Sequence, residues 1–94
     1  MTKAEIVAEI ANKTGIEKIA VQSVVETFMD TLKGAMINGD NVYLRGFGSF
    51  IIKERAEKTG RNISKNITIK IPAHKIPAFK PAKTFVTDVK ENLK

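Results

Sequence analysis

Apolar residues recur at helical spacing through the first 38 residues and at strand spacing after residue 41. Thr2-Lys3-Ala4-Glu5 carries a capping-box pattern, with Thr2 as the cap and Glu5 reaching back. Ile6, Val7, Ile10 and Ala11 follow three or four apart, and Gly15 stops the run, which predicts a helix over about residues 3–14. A longer helix is predicted from about Glu17 to Asn38, ended by Gly39-Asp40. Val21, Val24, Val25, Phe28 and Leu32 form its main stripe, widened by Met29, Met36 and Ile37. A helix apolar over so much of its circumference must be covered on several sides. One short helix and a few strands cannot cover it in a small chain, so a symmetric dimer with a shared core is expected.

From Asn41 the period becomes two. Asn41-Val42-Tyr43-Leu44 reads as a short strand, and Gly46 and Gly48 around Phe47 predict a tight reversal or a close backbone approach. Ser49 to Lys58 reads as one strand, with Phe50 and Ile52 on one face and Ile51, Lys53 and Arg55 on the other. The turn residues from Gly60 to Asn66 predict a mobile loop, and Ile67, Ile69 and Ile71 alternate as a return strand. Pro72 and Pro77 frame a weaker section from which Ala78-Phe79-Lys80 returns to the core. Pro81 precedes a last helix over about 83–92, whose inner face is Phe85, Val86, Val89 and Leu93. The outer ribbon, between Arg55 and Lys70, cannot close a core alone, since a lone two-stranded ribbon is marginal in water. It is expected to project and to order on a partner.

Charge sharpens this picture. Residues 1–44 carry four Lys against six Asp/Glu, whereas residues 45–83 carry ten Lys/Arg against Glu54 and Glu57. Positive charge gathered on the β segment is the electrostatic footprint of a nucleic-acid binder. A basic ribbon for an acidic protein, or for RNA, fits the charge as well; against RNA, the segment from Arg55 to Lys70 lacks the aromatics that stack on bases. With no Cys there is no disulfide and no Cys-based metal site, and neither a cofactor nor a metal is expected. Met1-Thr2-Lys3-Ala4-Glu5 does not open like a secretory signal, and no apolar run approaches the roughly 20 residues of a membrane span. His74, the single histidine, lies between Ala73 and Lys75 in a Pro-bracketed stretch that suits a surface or phosphate role better than catalysis. Gly46-Phe47-Gly48 lacks the third glycine and the βαβ setting of a dinucleotide loop. No enzyme is expected.

Three motifs together carry a family resemblance over nearly the whole chain. They are Gly46-Phe47-Gly48-Ser49-Phe50, then Arg55-Ala56-Glu57-Lys58-Thr59-Gly60-Arg61-Asn62, then Ile71-Pro72 with Pro77-Ala78-Phe79-Lys80-Pro81-Ala82-Lys83. The chain resembles the HU and integration host factor family, the histone-like DNA-bending proteins of bacterial nucleoids. That resemblance implies an α+β fold: an intertwined dimer with a helical base, a small antiparallel sheet and projecting β-ribbon arms that bend double-stranded DNA through its minor groove. It implies one domain over residues 1–94: a helical dimerisation region (1–44), a sheet and DNA-binding arm (45–83) and a C-terminal helix (84–94). A cytoplasmic, nucleoid-associated protein is implied, pairing with itself or with a paralogue.

Carried over by position, Lys53, Arg55, Lys58, Arg61, Asn62 and Lys70 resemble arm residues that face DNA. Lys80, Lys83 and Lys3 resemble cationic contacts on the body and flanks. Phe47, Phe50 and Phe79 match the aromatic centre of the dimer core, with Phe28 and Leu32 from the long helix. The chain departs from the family at the arm tip, where Ile63 follows Arg61-Asn62 in place of the family's wedge proline, and Lys65-Asn66 replace Thr-Gly. Isoleucine is large and apolar enough to unstack a base step; alternatively it packs on Ile67 across the tip. Arg45 before Gly-Phe-Gly resembles the site-preferring branch as much as the branch that binds any sequence.

Overall fold

Thr2 opens the first helix as its pattern predicts. In the computed structural model, which describes residues 1–62 and 67–93, the Glu5 amide donates to Thr2 Oγ1 at 3.2 Å. Helix α1 spans Lys3–Thr14 and closes with the Gly15 amide on the Ala11 carbonyl at 2.9 Å. Helix α2 spans Lys18–Ile37. Gly39 donates to the Met36 carbonyl and Asp40 to the Ala35 carbonyl, each at 3.0 Å, so the last turn's carbonyls are satisfied as the chain turns into the sheet. Val7 of α1 and Val21 of α2, 2% and 4% exposed, are the buried apolar residues among those described.

Strand β1, Val42–Leu44, runs into a turn in which the Phe47 amide donates to the Leu44 carbonyl at 2.9 Å. Gly46 sits there at φ +80°, the conformation that the third residue of a type II turn requires. Strand β2, Gly48–Arg55, pairs with β1 on one side. On its other side it pairs with β5, His74–Pro81, in an antiparallel sheet of order β1-β2-β5. Strands β3, Lys58–Asn62, and β4, Ile67–Ile71, form a separate two-stranded ribbon. Helix α3, Lys83–Asn92, follows β5 directly. The Ala82 amide donates to the Phe47 carbonyl at 2.9 Å, tying the start of α3 to the turn after β1.

Three details differ from the pattern reading. The stretch from Ser49 to Lys58 is two strands, broken at Ala56-Glu57 opposite Pro72-Ala73. Gly60 to Asn62, expected as loop, belong with Thr59 to β3, because their backbones find a ladder in Ile67–Thr68–Ile69–Lys70. His74 and Pro77 lie within β5, one of the longest strands, where a weak section was expected. Proline is tolerated there because β5 is an edge of its sheet, so the missing N–H need not interrupt a ladder. The short first strand and the last helix stand where the pattern puts them, at Val42–Leu44 and Lys83–Asn92.

Gly48 is buried, and a Cβ built on it would lie 2.6 Å from the Lys80 carbonyl oxygen and 2.6 Å from the Phe79 ring. The first of these is backbone, so it cannot swing aside. Gly48→Ala is therefore expected to destabilise the fold by about 1–3 kcal/mol through overpacking, read as a lower midpoint in urea; an unchanged midpoint would show that β2 and β5 separate without cost.

The single chain has little interior. Its radius of gyration is 18.9 Å, against about 12 Å for a compact domain of this length. Its accessible surface is 8063 Å², against about 5,400 Å² for a compact monomer of this mass. The projecting ribbon accounts for part of the excess. Large apolar side chains on the body are open as well: Val24 is 69% exposed, Phe28 49%, Phe47 47% and Phe79 40%.

Candidate nucleic-acid interface

Strand alternation and register divide the three-stranded sheet into two unlike faces. Phe50 pairs with Phe79 and Ile52 with Pro77, while Val42 lies opposite Phe50 across β1. These residues share one face. The Phe50 and Phe79 rings stand 4.8 Å apart, Phe79 and Phe47 5.3 Å, and Phe47 stacks on Phe85 of α3 at 5.5 Å. The three phenylalanines singled out in the sequence thus meet, and Phe85, placed there only on the inner face of the last helix, completes the group. Leu32 is half-buried on α2 and Phe28 exposed.

The opposite face is cationic. Ser49 pairs with Lys80, Lys53 with Ile76 and Arg55 with His74, and all of these alternate away from the phenylalanines. Lys53, Arg55 and Lys80 are exposed. At the base of this face an open notch of about 400 Å³ is lined by Arg45, Lys80, Lys83, Tyr43 and Ser49. Arg45 is the residue the motif comparison left without a role; its place after β1 is what brings it to Lys80 and Lys83.

The ribbon carries the charge outward but does not keep it on one side. Lys58 pairs with Ile71 and Thr59 with Lys70, so Lys58 and Lys70 lie on opposite faces. Lys58 shares its face with Ile69 and Ile71, which are 47% and 44% exposed. Lys70 is bound to Glu57 at 3.0 Å. The backbones of Arg61 and Asn62 pair with Thr68 and Ile67. Ile63, the expected wedge, lies outside the described residues.

Not every sequence candidate is equally available. Lys3 Nζ donates to Glu26 Oε1 at 2.9 Å, and Gln22 adds a second hydrogen bond to that oxygen. Hydrogen bonding from Lys3, then from Gln22, and the Lys3 charge hold the Glu26 carboxyl below the usual carboxylate range, against a small opposing cost of desolvation. Among the described residues, Lys53, Lys58, Lys80, Lys83 and Arg55 make no ion pair.

An α+β subunit with a bare phenylalanine face, a cationic sheet face and a projecting basic ribbon is the class these features define. The chain belongs to the bacterial DNA-binding protein family, whose model matches residues 1–90. It is 43% identical over 90 residues to the SPbeta prophage-derived DNA-binding protein HU 2 of Bacillus subtilis (strain 168), covering 96% of this chain and 98% of that one. Over 90 residues it is 39% identical to DNA-binding protein HU of Geobacillus stearothermophilus, covering 96% and 100%. Among solved structures, Anabaena HU in a cocrystal with DNA matches with a TM-score of 0.90 at 38% identity, covering 95% of this chain and 97% of that one. HU from Thermotoga maritima matches at 0.67 with 27% identity, covering 95% and 98%. The family resemblance drawn from the motifs therefore extends over the fold. No helix among the described residues is long and apolar enough to cross a membrane.

Proposed function

We propose that this protein is a non-enzymatic, architectural DNA-binding protein of the bacterial nucleoid. It works as a dimer, binds duplex DNA through phosphates and the minor groove, and bends it. The separation of phenylalanine and cation onto opposite faces of one sheet carries this conclusion. The apolar face of such a sheet is covered by a second copy, while Lys53, Arg55 and Lys80 stay free for phosphates. The arm extends that surface around the duplex, carrying Lys58, Arg61 and Asn62 outward along it, with Ile63 beyond them as the wedge. DNA, rather than an acidic protein or RNA, is favoured by the match to HU bound to DNA. On this reading it acts in the cytoplasm, on the chromosome.

Ile63→Ala tests the wedge. Unstacking a base step costs a few kcal/mol, and bending a short site costs on the order of 1–6 kcal/mol more. A nicked duplex has already met part of that cost. The variant is expected to lose more affinity on an intact duplex than on a nicked one of the same sequence, as titrations of both measure. Equal losses on the two would make Ile63 a strut for its own ribbon.

A further inference from the structure

The elbow between the two ladders holds the chain's single histidine. The β2–β5 ladder ends at Arg55 opposite His74, and the β3–β4 ladder starts at Lys58 opposite Ile71. An open recess of about 550 Å³ lies between them, lined by residues that include Glu54, Arg55, Lys58 and His74. His74 Nδ1 lies 3.0 Å from the Pro72 carbonyl oxygen. A carbonyl only accepts hydrogen bonds, so Nδ1 carries the hydrogen and Nε2 holds the free lone pair of the neutral ring. Neutral, Nε2 offers a lone pair, which repels a phosphate oxygen; protonated, it donates to one.

The surroundings suit an anion. From β2, Arg55 faces His74 directly, and Lys53 lies next along the same face. From β3, Lys58 lines the same recess. Glu57, the nearby acid on the arm, is taken up by Lys70 at 3.0 Å. Glu54 pairs with Lys75 in the ladder and so alternates to the other face of the sheet. An arriving phosphate therefore meets Arg55, Lys58 and the histidine together, where the arm leaves the body.

We infer that His74 is a DNA-phosphate contact at the elbow that engages only when protonated, making affinity and its salt dependence rise as pH falls. This rests on the DNA-binding function proposed above. His74 is the chain's single imidazole, and variants at that position separate its contribution from that of every other group between about pH 5.5 and 7.0. The experiment titrates the full-length protein on an intact duplex at both ends of that range and at several salt concentrations.

For the unaltered protein the salt slope should steepen at the lower pH by about 0.9 per phosphate, up to about 1.8 for two elbows. At about 0.1 M salt that corresponds to a gain of roughly 8- to 60-fold in affinity. His74→Gln should remove the pH response and keep the weaker binding; His74→Lys should remove it and keep the tighter. Thermal melting of each variant confirms the fold, and if the Gln variant is unfolded the Lys variant decides. A pH response that survives in His74→Gln, or an unaltered protein with one slope at both pH values, overturns the assignment while leaving DNA binding in place. Absence of binding at both pH values overturns the DNA-binding proposal itself.

Discussion

Phe50→Ala is expected to lower stability by about 3–5 kcal/mol and to make melting depend more steeply on protein concentration. The ring faces Phe79 across the ladder at 4.8 Å and joins a group that runs through Phe47 to Phe85. Within one chain that group is half open to solvent, as the 47% and 40% exposures of Phe47 and Phe79 record. The full cost of truncation therefore arises only where a second copy covers the face, and folding and association are then one equilibrium. Calorimetry at several protein concentrations reads both effects. A loss below about 1 kcal/mol, with melting independent of concentration, would mean that the phenylalanine face is not a shared core.

DNA affinity is expected to fall by roughly 10³–10⁵ between about 50 and 200 mM salt if a dimer neutralises six to ten phosphates. Ten cations lie between Arg45 and Lys83 in each chain, enough for that count. Lys80→Ala and Lys83→Ala should each weaken binding about equally on all sequences and lower the salt slope by about one for each phosphate no longer neutralised. Lys70→Ala and Lys3→Ala should do less, since Glu57 and Glu26 already engage those ammonium groups. Fluorescence anisotropy across a salt series measures the slopes. A flat salt dependence would contradict the electrostatic basis of the interface.

Much of this architecture is legible in the sequence because its signals are local. The Thr2 cap, the Gly15 and Gly39 stops and the alternation of Phe50 and Ile52 against Lys53 and Arg55 each depend on a few neighbouring residues, and each stands where the pattern puts it. The features that were missed depend on pairing. Proline propensity hides β5, because sequence alone does not reveal that Pro77 lies on an edge. Turn propensity hides the outer half of β3, because Gly60 and Asn62 become strand only once Ile69 and Ile67 lie opposite. The same gap concealed the elbow: His74 looks like a loop residue until the register sets it against Arg55. Motif matching likewise grouped Lys58 with Lys70, and only the ladder separates their faces.

Bending is the central claim, and energy transfer between dyes at the two ends of a random-sequence duplex of about 30 base pairs tests it most directly. Titration with the protein at low salt should raise transfer to a plateau reached at one dimer per duplex, and adding salt should reverse it. Binding detected by anisotropy with no change in transfer would contradict the account, leaving a protein that coats DNA without shaping it.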